Sequence, residues 1–320
     1  MNKVKQIKAE RVKEARVKIT WKEIKKQKEL ILLTIPFVVY VIVFCYAPLA
    51  GWLMAFQNFK ARDGILGSAF VGLDKFKFLF VDNSAFLKVI RNTLAMGVIN
   101  LVLSFVFAIG FALLLNELIH RGTKKFVQTV SYLPHFLSWI IVCGIVQDVL
   151  SIDNGIINEL LVKFHIVSQP INWFANTKFF WWIVGFANVW KETGWNSIIY
   201  LAAITAINPD LYEAASIDGA GRIRKMWNIT LPAIKPTIFI LLLINIGNVL
   251  NAGFEIQYLL TNGLVQSVSQ TIDIYVLKYG IAQGDYSLGT AAGIFKSVVS
   301  IILIFLANSM AKASGEERLF

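Results

Sequence analysis

Six apolar stretches, at residues 30–56, 93–115, 126–150, 179–207, 236–259 and 288–310, are each long enough to cross a bilayer. A crossing helix needs about 20 apolar residues. Lipid also leaves no partner for an open backbone group, so the spans must be helical. The expected fold is an all-α membrane protein with six transmembrane helices. Composition agrees, with 16% charged residues against about 25% in a soluble domain. Pro36 and Pro48 interrupt the first span, and Pro134 lies near the start of the third.

The net charge of +11 is unevenly placed. Residues 1–28 carry eleven Lys or Arg against three Glu. A basic run can bind nucleic acid, but one placed directly before an apolar span reads as a positive-inside tail on anionic lipid. The tail sets the N-terminus inside, and the first span is expected to be retained rather than cleaved. His120, Arg121, Lys124 and Lys125 fall inside after the second span, as do Arg222, Arg224, Lys225 and Lys235 after the fourth. Six crossings then return the C-terminus to the cytoplasm. Lys60, Arg62, Lys75, Lys77 and Lys88 weaken the bias in the first outer loop, where an interfacial helix over 74–89 would hold them. Trp173, Phe179, Phe180, Trp181 and Trp182 read as an outer aromatic belt.

Polar groups inside the spans narrow the function. Lys191 and Glu192 lie mid-span beside Asn188, Trp190 and Asn196. Charges at that depth are costly and face a cavity or a partner, so they either line a path or tie helices together. Asn245, Asn248, Asn251 and Glu255 recur at steps of three, three and four, which places them on one face of a helix. They bond across helices or face a cavity. Trp190, Trp195, Phe254 or Tyr258 would offer aromatic faces for stacking. Gly289 and Gly293 permit close helix contact. The three histidines lack ligand spacing, Cys45 and Cys143 sit in apolar runs, and no phosphate loop or hydrolase motif occurs. No metal site, cofactor or ATPase activity is expected of this chain.

One polar segment interrupts the apolar pattern most informatively. Asn208 caps a helix that opens with Pro209, and Gly219 suits a left-handed exit. A second helix is expected from 222 to 228, ended by Leu231-Pro232. The spacing is Glu213-Ala214-Ala215, three residues, Gly219, nine residues, Ile229, one residue, Leu231-Pro232. It resembles the EAA loop of permease subunits from binding-protein-dependent ABC importers, at every fixed position. Phe254-Glu255-Ile256-Gln257-Tyr258, Ile272-Asp273-Ile274-Tyr275 and Asp285-Tyr286-Ser287-Leu288-Gly289 are similar to the oligosaccharide branch of carbohydrate permeases, as is Trp190-Lys191-Glu192-Thr193-Gly194-Trp195-Asn196. The likeness covers about residues 30–320.

The resemblance implies a type I importer of the maltose kind in a bacterial cytoplasmic (inner) membrane. A second homologous permease would pair with this one, two copies of an ABC ATPase would bind ATP and Mg below, and an extracellular solute-binding protein would deliver an oligosaccharide or polysaccharide fragment. Leu211, Tyr212, Glu213, Ala214, Ala215, Ile217, Asp218 and Gly219 would form the coupling helix and its bend. The implied organisation is a basic tail (1–29), a first span with outer loop (30–89), a permease core (90–311) with the coupling loop at 208–236, and a cytoplasmic end (312–320). An ion-coupled secondary transporter using Lys191, Glu192 and Glu255 is the alternative, and a membrane enzyme lacks the clustered His, Asp or Cys it would need.

Overall fold

The computed structural model describes residues 25–313, so most of the basic tail and the C-terminal end lie outside the described residues. Contacts divide the chain into two units, 1–53 and 54–320. The first contains most of helix α1 (Lys28–Phe56). Pro48 has no N–H to give and crowds the carbonyl four residues back. The helix accommodates it by widening over Ile42–Tyr46 and tightening over Ala47–Phe56.

The second unit opens with a small antiparallel ribbon, β1 (Gln57–Asn58) against β2 (Ala69–Phe70), with Gln57 opposite Phe70. Helix α2 (Asp74–Lys77) widens over Phe78–Asp82. It stops at Asn83, whose side chain accepts from the Ala85 N–H at 3.1 Å and caps α3 (Ser84–Asn116). The expected interfacial helix over 74–89 is therefore cut in two, because its last residues belong to α3. One of the cations that weakened the expected charge bias is neutralised, since Lys75 pairs with Asp285 at 3.1 Å.

Helix α3 is the axis of this unit. Near its start, Phe86 and Val89 pack with Leu79, Ile272, Tyr275 and Leu288. Further along, Met96 packs with Cys143, Phe180, Val184 and Ile256. Near its end, Ala108 and Ala112 pack with Tyr200, Ile204 and Ile234. The contacts set α7 (Thr177–Thr205) beside α3 and running in the same direction. From residue 92 to 112 an α-helix rises about 30 Å, the thickness of the hydrocarbon. The aromatic belt is thinner than expected, because Phe180 is fully buried and Trp181 donates to the Val268 carbonyl at 2.9 Å.

Among the described residues, three helices are long and apolar enough to cross a membrane: Lys28–Phe56, Ser84–Asn116 and α13 (Tyr286–Ala313). Two bent pairs raise that number to five. In the first, α4 (Arg121–Tyr132) runs on through Leu133–Phe136 and turns by 105° into α5 (Trp139–Val149). The third expected span is thus broken: Pro134 stops the ladder and the Ser138 side chain caps the restart. A short helix, α6 (Ile156–Lys163), follows α5. In the second pair, α9 (Arg222–Ala233) meets α10 (Lys235–Gly247) at 58°. Helix α7 has 29 residues, but Asn188, Lys191, Glu192 and Asn196 lower its mean hydropathy.

Candidate functional site

Between α7 and α9 lies α8 (Pro209–Ile217), capped by the Asn208 side chain on the Asp210 N–H at 3.0 Å. Its exit is a Schellman motif: Ala220 N–H donates to the Ala215 carbonyl at 2.8 Å and Gly219 N–H to the Ser216 carbonyl at 3.1 Å. Gly219 holds φ at +75°, which the bend requires. The following helix does not stop at Leu231-Pro232 as expected. It widens over Met226–Thr230, accommodating Pro232, and breaks only at Ile234. Two bonds hold α8 to α9: Tyr212 Oη meets Thr230 Oγ1 at 2.9 Å, and Lys225 Nζ donates to Ser216 Oγ. With those residues occupied, Leu211, Glu213, Ala214, Ile217, Asp218 and Gly219 are left exposed, and Ala215 half-buried.

About halfway along α3 a groove of about 250 Å³ opens against α7 and the end of α10. Asn188, Glu192, Asn196, Asn245, Asn248 and Asn251 line it. Asn100 and Ser104 of α3 join them. The signal for the α3 side in the sequence is faint: Gly97, Asn100 and Ser104 share one helical face at steps of three and four. Among the described residues the side chains of Asn245, Asn248 and Asn251 bond locally rather than to other helices. Asn245 donates to Leu241 O at 2.8 Å, Asn248 to Ile244 O at 3.1 Å, and Asn251 to Asn248 Oδ1 at 3.2 Å. The oxygens of Asn245 and Asn251 make no bond among the described residues.

The expected single helical stripe is corrected in one respect. Helix α10 ends at Gly247, and a left-handed Gly253 (φ +83°) precedes a separate helix, α11 (Phe254–Leu260). Glu255 consequently leaves the groove for a separate hollow of about 480 Å³ that it shares with Lys191, Phe254 and Tyr258. Trp190 also points elsewhere, into an apolar hollow with Trp173, Trp182 and Phe186.

Lys191 is 5% exposed. Its ammonium donates to the His135 carbonyl at 2.5 Å, lies 3.3 Å from Glu192 and stands 5.3 Å from the Trp139 ring centroid. Glu192 Oε2 lies 2.7 Å from His135 Nδ1, and the imidazole stacks flat on Trp195 at 4.4 Å. The adjacent charges thus clamp the break between α4 and α5 from two sides, while Glu192 also reaches the groove. His135 carries this role through its position after Pro134, which spacing alone did not reveal. Close approach makes the clamp possible: a Cβ on Gly194 would lie 2.1 Å from the Ser131 carbonyl oxygen.

A family model described as "binding-protein-dependent transport system inner membrane component" matches residues 100–315. The chain belongs to this family. It is a multi-pass inner-membrane permease subunit of a bacterial transporter. It is 46% identical over 92% of its length to the polygalacturonan/rhamnogalacturonan transport system permease protein YteP of Bacillus subtilis (strain 168), covering 91% of that protein. Protein LplB of the same organism is 44% identical, with 94% of each chain covered. A crystal structure of a bacterial ABC transporter involved in the import of the acidic polysaccharide alginate contains a chain of the same fold, with a TM-score of 0.83 and 37% identity over 92% of this chain and 98% of that one. A second structure of the bacterial alginate transporter, in complex with its alginate pentasaccharide-bound periplasmic protein, matches equally, covering 92% of this permease and 97% of that chain. Membership of a binding-protein-dependent family, with an ABC transporter chain of the same fold at 37% identity, sets the ion-coupled alternative aside.

Proposed function

We propose that this permease forms half of the translocation path for acidic oligosaccharides released from a polysaccharide. A second homologous permease supplies the other half. An extracellular binding protein loads the path, and two ATPase subunits, which carry the ATP and Mg, drive it. Both termini lie in the cytoplasm. The observation that carries the reading is the amide-lined groove beside the middle of α3, bounded by the two helices that the α8–α9 elbow joins. Amides offer both donors and acceptors, which suits a ligand made of hydroxyls. The acidic class rests on the relatives named above.

Coupling follows from the same connection. The open face of α8, carrying Leu211, Glu213, Ala214 and Ile217, seats in a groove on the ATPase, with Asp218 and Gly219 at its bend and Tyr212 and Ala215 behind it. Because α8 is bonded to α9, a shift of the seat moves α7 and α10 together. The ATPase drives the path only insofar as it holds the seat differently in its nucleotide states.

Proteoliposomes holding the assembled importer, with binding protein outside and ATP inside, test the reading. ATP-dependent uptake of labelled tetragalacturonate is expected. Replacing Asn245, Asn248 and Asn251 together by Ala should slow it severalfold without loss of assembly. Absence of uptake by the parent would reject the substrate class, and an unchanged rate in the triple variant would reject the groove.

A further inference from the structure

We propose that a second saccharide site lies outward of the groove, in the cavity between α11 and α12 (Ile272–Tyr275, running on through Val276–Ala282), where Lys278 receives a sugar carboxylate. The inference rests on the acidic-oligosaccharide reading above. The cavity holds about 550 Å³, within the range of small-molecule sites. Tyr258 of α11, Gln266 and Gln270 of the connecting turn, and Leu277 and Lys278 of α12 form its walls.

The charges point to an anion. Lys75, Lys191 and Lys296 are paired with Asp285, Glu192 and Asp273 at 3.1, 3.3 and 2.6 Å. Lys278 is half-buried, yet it forms no ion pair among the described residues, and its ammonium stands 5.3 Å from the Tyr279 ring centroid. Withdrawing a cation from water without a counter-ion is unfavourable, and the cavity leaves room for one. Gln270 also lines the cavity, and its buried Nε2 has no partner among the described residues.

The walls are held in place before any ligand arrives. The Asn92 side-chain amide donates to the carbonyls of Ser267 at 3.0 Å and Gln270 at 3.1 Å, and Ile272 N–H donates to Thr93 Oγ1 at 3.0 Å. These bonds pin the turn to the start of α3, at the end of that helix away from the elbow. A preformed cavity spares the ligand the cost of ordering it. The route inward is also built. Asn251 lines the groove, Phe254 and Tyr258 stack at 5.6 Å along α11, and Tyr258 borders the cavity. Helix α11 covers about 10 Å at an α-helical rise, so one sugar chain lying along it reaches both sites.

Equilibrium binding to the assembled importer in phosphatidylcholine nanodiscs, without binding protein, tests the assignment. The probes are labelled tetragalacturonate and its carboxyl-reduced counterpart. Lys278→Met should weaken tetragalacturonate binding about tenfold, the factor that one charge-assisted contact carries. It should leave the reduced probe unchanged, and Lys278→Arg should restore most of the loss. Equal binding of tetragalacturonate by Lys278→Met and parent overturns the site, as expected if lipid phosphate satisfies the ammonium. An equal loss for both probes that Arg does not restore also overturns it. If the parent binds neither probe and imports no tetragalacturonate, the underlying functional reading fails instead.

Discussion

Replacing Lys191 by Met should loosen the join between α4 and α5, and the structure sets the size of the effect. The ammonium donates to the His135 carbonyl at 2.5 Å, just before the 105° turn, and stands 5.3 Å from the ring of Trp139, the first residue of α5. A hydrogen bond from a charged donor contributes about 1.5–3 kcal/mol, and the ring contact about 0.5–1 kcal/mol. Met keeps most of the buried volume, so packing changes little. Glu192 retains His135 at 2.7 Å and is 21% exposed, so stranding it adds little. The expected loss is about 2–4 kcal/mol, or about 30–900-fold in the opening equilibrium. Cys143 reports that opening, because it lies on α5 and is 3% exposed in the cluster of Met96, Phe180 and Val184. In a Cys45→Ser background, alkylation of Cys143 by a small membrane-permeant maleimide should accelerate by about that factor. Equal rates in Lys191→Met and its parent would refute the clamp and return Lys191 to the role of a solvated path charge.

Gly219→Val forces a β-branched residue to φ +75°; it should lower uptake per ATP hydrolysed while membrane levels hold, and an unchanged ratio would remove the bend from the coupling route. Gly194→Ala places a Cβ 2.1 Å from the Ser131 carbonyl oxygen and should destabilise the chain by about 1–3 kcal/mol in thermal unfolding, whereas Gly110→Ala, inside α3 with nothing within 4 Å, should be neutral to slightly stabilising. Lys296→Met strands Asp273, whose carboxylate it holds at 2.6 and 2.8 Å. With side chains 17% and 30% exposed, the loss should be about 1–3 kcal/mol, and Asp273→Asn added to it should restore melting behaviour.

What the sequence made legible is the part governed by local chemistry. Asn208, Pro209 and Gly219 act through bonds and dihedrals within a few residues, so capping rules located α8 and its left-handed exit. Hydropathy likewise placed apolar helix in all six expected regions, because burial in lipid depends on composition along a run. It carried no angle. Pro134 announced a stop, but the 105° turn depends on Ser138 recapping the chain and on Lys191, more than fifty residues away, binding the His135 carbonyl.

Periodicity failed where it was trusted across a break. Asn245 and Asn248 follow helical spacing to the end of α10, and Asn251 still reaches the groove from the loop. Past the left-handed Gly253, however, counting in steps of four no longer describes a face, and Glu255 moved to a different hollow. Just past the end of α10 the backbone comes so near α3 that a Cβ on Gly97 would lie 1.9 Å from the Val249 carbonyl oxygen. Gly97 is therefore the residue on α3 that permits the broken helix to close one wall of the groove, and the irregular backbone is stable in the membrane because it is buried in protein at that point.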